Sequence, residues 1–152
     1  MLCYAAIDGE VDTSPILSQA LADGKRVAVP VALRRGSRLV PVEIRDSRKD
    51  LSSRGLFGVP QPARTAGRRV PPEKLEFILV PGVAFDRRGR RLGRGRGYFD
   101  RFLSQVPASV PRVGLAFGFQ VVRAVPFEPH DQPVLMVITD KEVIRCENSR
   151  SR

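Results

Sequence analysis

Apolar residues gather along this chain in short runs set between polar, glycine- and proline-rich stretches, and the runs differ in period. Residues 2–6 and 27–33 are almost continuously apolar, which predicts two strands; the second is largely β-branched and reads as covered on both faces. Residues 39–44 alternate more and predict a partly exposed strand. Between the first two runs, Ile16, Leu17, Ala20 and Leu21 share one face of a helix. Thr13 or Ser14 can cap it, Pro15 suits its first position, and Gly24 lies just past its end. Further strands are predicted over 77–80, 113–117 and 134–139, with 143–146 as an edge. Strands alternating with helical segments indicate a three-layer α/β/α domain with a mostly parallel sheet, spanning residues 1–146 and followed by a polar tail over 147–152. A length of 152 residues fits one such domain, with about 70% of the unfolded surface buried.

Two stretches break the pattern. Residues 45–72 form a polar connection rich in Arg, Ser, Gly and Pro, long enough to indicate a lid, a binding segment or disorder. The other begins where the strand at 77–80 stops at Pro81-Gly82 and gives way to a loop dense in arginine and glycine. That loop leads into a short amphipathic helix over 98–103, which carries Asp100. Gly93, Gly95 and Gly97 alternate with Arg94 and Arg96. Glycines let anionic oxygens approach backbone N–H groups, and guanidinium forks suit phosphate. A carboxylate beside bound phosphates is placed to hold Mg²⁺. No Lys-Ser or Lys-Thr pair follows these glycines, so this is not a Walker loop, and the G-x-G-x-x-G register meets Tyr98 or Asp100 where glycine is required. On the residues alone, a flexible RG-rich segment that contacts RNA fits as well.

The charge does not separate these readings. Lys and Arg number 26 against 16 Asp and Glu, a net +10, which favours polyanionic partners such as nucleic acid, a nucleotide triphosphate, a polyglutamylated cofactor or an acidic membrane. Cys3 and Cys146 lie far apart and outside any C-x-x-C spacing, so neither a disulfide framework nor a zinc site is indicated. No apolar run reaches the length of a membrane span, and the first residues do not read as a signal peptide, so a cytoplasmic location is expected. Several acids have ordinary readings too: Asp86-Arg87-Arg88-Gly89 as a turn, Glu10 as a loop acid, and Asp131 as the cap of a proline-rich corner beside the single histidine, His130.

The loop is nevertheless part of a longer pattern. Pro81-Gly82-Val83-Ala84-Phe85-Asp86, then Gly89, then Arg91-Leu92-Gly93-Arg94-Gly95-Arg96-Gly97-Tyr98-Phe99-Asp100 resembles the signature P-G-x-x-F-D-x-x-G-x-R-L-G-x-G-x-G-Y-Y-D of the 5-formyltetrahydrofolate cyclo-ligase family. Tyr4 with Gly9-Glu10-Val11-Asp12-Thr13, Leu56-Phe57-Gly58-Val59-Pro60-Gln61-Pro62, and Val125-Pro126 with His130-Asp131 and Val137-Ile138-Thr139 resemble further family elements in the same order. The likeness runs over about residues 1–144.

The resemblance implies ATP- and Mg²⁺-dependent closure of 5-formyltetrahydrofolate to 5,10-methenyltetrahydrofolate, releasing ADP and phosphate. Carried over by position, Arg91, Leu92, Gly93, Arg94, Gly95, Arg96, Gly97, Tyr98 and Phe99 would bind ATP, with Arg94 and Arg96 supporting the transferred phosphate. Tyr98 would sit at the junction of folate and nucleotide, Glu10 and the backbone at Ala5 would meet the pterin, and Asp100 and Asp131 would hold Mg²⁺. Phe99 replaces the usual second tyrosine, and Gln61 stands where many members carry glutamate. Family members usually carry, ahead of the segment matched here, a helical pair with a K-x-x-x-R element that reaches the ATP phosphates. Without it, weaker ATP use and self-association through an uncovered sheet face are expected, and a non-catalytic remnant that binds folate or nucleotide is the alternative to an active ligase.

Overall fold

The computed structural model describes residues 1–51, 53–62 and 68–146, so the predicted tail lies outside the described residues. Strands β1 (Val27–Leu33) and β2 (Arg38–Ile44) pair antiparallel along their full length, turned by residues 34–37. Within the long connection, β3 (Ser53–Arg54) and β4 (Pro60–Gln61) form a small ladder. Next come β5 (Ile78–Val80), β6 (Ala84–Asp86) and β7 (Arg91–Leu92), followed by β8 (Arg112–Leu115), β9 (Val121–Val122), β10 (Met136–Ile138) and β11 (Val143–Arg145). Leu2 bridges Ala28 and Ile78 in parallel, so the main sheet runs β2–β1–Leu2–β5–β8–β10–β11. Its centre is parallel and its two margins, β1–β2 and β10–β11, are antiparallel. The edge expected near residue 143 is β11.

Successive strand residues point to opposite faces, and the core divides accordingly. On one face Val27, Val29, Leu79, Val113 and Leu115 pack with Leu17 of helix α1 (Ser14–Ala22). On the other, Ala28, Ile78, Val80 and Val137 pack with Phe102 and Leu103 of helix α2 (Tyr98–Leu103). Alternation within β1 and β5 therefore places a helix on each side of one sheet, the three-layer arrangement expected. No helix among the described residues is long and apolar enough to cross a membrane.

Three local expectations need correction. The run over residues 2–6 pairs only at its start; beyond Cys3 the chain leaves the sheet, and the Tyr4 carbonyl accepts from Thr13 Oγ1 at 2.6 Å. Thr13 is thus spent on Tyr4, and the α1 entry is closed instead by Asp12, whose carboxylate accepts from both Ser14 N–H and Ser14 Oγ at 2.9 Å. Pro15 is the second helical residue rather than the first. The stretch between Pro81 and Gly97 is not one open loop: β6 and β7 form a hairpin, and β6 also pairs in parallel with β9. Asp86, buried, closes that hairpin by accepting from Arg88 and Arg90 N–H at 3.0 Å, and its other oxygen accepts from Val125 N–H at 3.1 Å.

Candidate active site

The chain leaves the sheet on one side of a cavity of about 590 Å³, a volume typical of ligand clefts. Four segments supply most of its lining: residues 4–10 after the first strand residues, Pro30 and Ala32 of β1, residues 56–61 of the connection, and the stretch from Pro81 to Asp100; Leu39 of β2 and Gln120 complete it. Each is placed by the sheet. Residue 4 follows the segment that pairs with β1 and β5, and Pro81 follows β5 directly, so both emerge at the same strand ends.

The cationic loop owes its form to close packing beneath it. A Cβ at Gly82 would come within 2.6 Å of the Phe85 ring, so only glycine lets the backbone cross there. Arg91 leaves β7 and runs inward; its side chain is 3% exposed and donates to Asp100 Oδ1 at 2.6 Å. Gly97 takes a left-handed conformation, φ 62°, at the entry to α2, and α2 then carries Tyr98, Phe99 and Asp100 along the cavity. Asp100 Oδ1 accepts a second bond from Gln132 N–H at 3.1 Å.

Glu10 is no solvated loop acid: its side chain is 14% exposed. Oε2 accepts from Ile7 N–H at 3.1 Å while Glu10 N–H donates back to the Ile7 carbonyl, which closes the turn reciprocally. Oε1 meets Arg94 at 3.4 Å, a contact that spans the cavity between residues 84 positions apart. Tyr4, beside it, donates its hydroxyl to the Val11 carbonyl at 3.2 Å; burial pushes the phenol pKa up, and the Glu10 charge adds to the shift.

Arg96 lies 4.4 Å from the centre of the Phe57 ring, whose edge meets Tyr98 at a 6.0 Å centroid distance. Phe57 itself is left-handed, φ 62°, and half-exposed. Arg101 stacks on Tyr98 and donates to the Arg96 and Ser37 carbonyls, tying α2 to the glycine loop and the β1–β2 turn.

The model of the 5-formyltetrahydrofolate cyclo-ligase family matches residues 1–140. The chain belongs to that family. It is 33% identical to a probable 5-formyltetrahydrofolate cyclo-ligase of Caenorhabditis elegans, over 93% of this chain and 72% of the relative. It is 32% identical to the Escherichia coli (strain K12) 5-formyltetrahydrofolate cyclo-ligase, over 92% and 77% respectively. The NMR structure of Aquifex aeolicus 5,10-methenyltetrahydrofolate synthetase superposes with a TM-score of 0.78 at 37% identity, covering 99% of this chain and 73% of that one. The chain is accordingly an enzyme of the cyclo-ligase family.

Among the residues assigned by resemblance, Ala5, Glu10, Arg91, Gly93, Arg94, Arg96, Gly97, Tyr98, Phe99 and Asp100 all line this cavity. Leu92, Gly95 and Asp131 do not. Leu92 is exposed on the outer side of the hairpin. The Asp131 carboxylate closes its own turn, with Oδ2 accepting from Glu128 N–H at 2.8 Å, although the next residue, Gln132, touches Asp100. Sequence reasoning gave no role to Phe57 or Gln120, which also line the cavity. Phe57 lies inside a matched family element, a usable signal. Gln120 offers none: its side chain works only once folded, donating to the Gly82 and Val83 carbonyls and accepting from Phe117 N–H.

Proposed function

We propose that the cavity closes 5-formyltetrahydrofolate to 5,10-methenyltetrahydrofolate while ATP becomes ADP and phosphate. One observation supports this above the others: the carboxylate expected at the pterin and an arginine expected at the phosphates stand 3.4 Å apart in a single cleft. Two substrates bound at these positions would have their reacting groups adjacent, which is most of what phosphoryl transfer requires of a protein.

The formyl oxygen takes the γ-phosphoryl group as the bond from that phosphorus to ADP breaks. N10 then adds to the activated carbon, the carbon–oxygen bond breaks to release phosphate, and N10 gives up its proton. Arg94 and Arg96 offset charge on the transferring oxygens, Glu10 accepts paired N–H donors of the pterin, and Tyr98 separates the two ligands. Arg94 is 55% exposed, and its pair with Glu10 stabilises the fold by no more than about 1 kcal/mol, so a triphosphate can draw it away and free Glu10 for folate.

The donor set suits Mg²⁺, which takes one or two carboxylates plus phosphate oxygens and water. Asp100 would offer it Oδ2, since both bonds to its carboxylate fall on Oδ1. Asp131 would be the second ligand. When bound, the ion supplies charge neutralisation at the phosphoryl oxygens. The RNA-binding alternative draws less support, because Arg91 is buried against Asp100 and all three arginines, Arg91, Arg94 and Arg96, line a cavity rather than an open face.

Mixing the protein with 5-formyltetrahydrofolate, ATP and Mg²⁺ should raise absorbance in the methenyl band, and omitting ATP or substituting Glu10→Ala should abolish the rise. A flat trace, with salt-sensitive RNA binding lost on changing Arg94 and Arg96 but untouched by Asp100→Ala, would instead establish the RNA reading.

A further inference from the structure

Resting on Asp100 as a cation ligand, we propose that Gln132 and Arg112, both outside the cavity lining, are positioning residues that fix the aim of the Asp100 carboxylate and its spacing from Asp131. Asp100 belongs to α2, whereas Asp131 belongs to a turn in a proline-rich stretch containing Pro126, Pro129 and Pro133. That turn is closed locally, by Asp131 N–H to the Glu128 carbonyl at 3.0 Å and Glu128 N–H to Asp131 Oδ2. These bonds fix its shape but not its place against α2.

Gln132 supplies the placement through three bonds. Its backbone N–H donates to Asp100 Oδ1; its side-chain Nε2 donates to the His130 carbonyl at 3.4 Å; its Oε1 accepts from Arg112 at 3.0 Å. Arg112, buried at the start of β8, donates with its other terminal nitrogen to the carbonyls of Leu103 and Val106, at and just beyond the end of α2. One guanidinium therefore joins the end of the helix bearing Asp100 to the turn bearing Asp131. Carbonyls at a helix end lack intrahelical partners and carry partial negative charge, which suits a buried arginine there.

The consequence is orientational. Arg91 and Gln132 N–H converge on the same oxygen, so rotation of the carboxylate is blocked and Oδ2 is the oxygen left for a cation. An apolar residue at position 132 keeps the N–H but releases the turn from Arg112. Glutamate keeps an acceptor for Arg112.

The test is Mn²⁺ binding followed by electron paramagnetic resonance in the presence of ADP, with near-ultraviolet circular dichroism as the control for fold. Gln132→Met should weaken Mn²⁺ binding about tenfold, the lower end of losses seen when partners of metal ligands are removed, with an unchanged dichroism spectrum. Gln132→Glu should restore most of the affinity. Wild-type Mn²⁺ affinity in Gln132→Met, alongside its loss in Asp100→Asn, would overturn the positioning role and leave the site reading intact. No recovery in Gln132→Glu would also overturn it. Undiminished binding in Asp100→Asn would remove the cation site itself, and the inference with it.

Discussion

The two sides of the cavity mouth are built differently. On the β7–α2 side, Arg91 and Asp100 form an ion pair with 3% and 16% side-chain exposure, and Asp86 clamps the hairpin beneath through three backbone N–H groups. On the connection side, Phe57 is half-exposed and left-handed, and it meets the rest of the site through its contacts with Arg96 and Tyr98. One side is fixed by charge in a poorly hydrated place, and the other is held by ring contacts open to solvent. Under the proposed reaction, the fixed side would stabilise developing phosphoryl charge and the ring-held side would admit a substrate.

The largest expected effect tests the buried pair. Arg91→Met leaves Asp100 without its guanidinium and should cost about 3–5 kcal/mol in urea unfolding, because a buried charge loses its partner. Arg96→Met, which removes the guanidinium that meets the open side at Phe57, should cost at most about 1 kcal/mol, the scale of an exposed cation–π contact. Equal costs would erase the distinction. A middle-sized effect is expected at Phe57: Phe57→Ala should raise the KM for the folate several-fold and leave the thermal midpoint nearly unmoved. Smaller still is the coupling across the mouth. A double-mutant cycle of Glu10→Gln with Arg94→Met should return about 0.2–1 kcal/mol without ligand, and a larger figure would mean that the pair holds the cleft shut.

The smallest effect is the connection's share of an acid limb, which it contributes through Asp50. Burial works to raise the Asp50 pKa, but bonds from Arg45 N–H, the Arg68 guanidinium and Asp46 N–H outweigh it and hold the carboxyl below its ordinary 3.8. Its stabilisation is complete above the unfolded value and is lost as pH falls through the lower folded one. The urea midpoint should therefore drop as pH falls below about 4, and Asp50→Asn should flatten part of that limb. Wild-type acid sensitivity in Asp50→Asn would show that these bonds contribute nothing to stability.

How much of this could be read beforehand follows from what each residue depends on. β1 and β2 were legible because β-branched and alternating runs reflect the sheet directly, and α1 because its apolar spacing does. The cationic loop was legible as a glycine–arginine pattern, and most of the cavity-lining residues as positions in a long signature. The fate of Thr13 was not legible: a hydroxyl before a helix ordinarily caps it, and here the Tyr4 carbonyl competes for it successfully. Gln120, Gln132 and Arg112 act across 38, 32 and 20 positions respectively, so no local pattern marks them. The strands within residues 45–72 are two residues long, too short to leave a period.

In the proposed reaction a nucleotide's terminal phosphoryl is gripped between the glycine–arginine loop and Asp100, facing Glu10. A crystal structure with Mg²⁺ and a non-hydrolysable ATP analogue tests it most directly. The triphosphate should lie against residues 93–97, with Arg94 turned from Glu10 toward the γ-phosphoryl group. A nucleotide bound elsewhere, with the Arg94–Glu10 pair intact and the cavity empty, would contradict it.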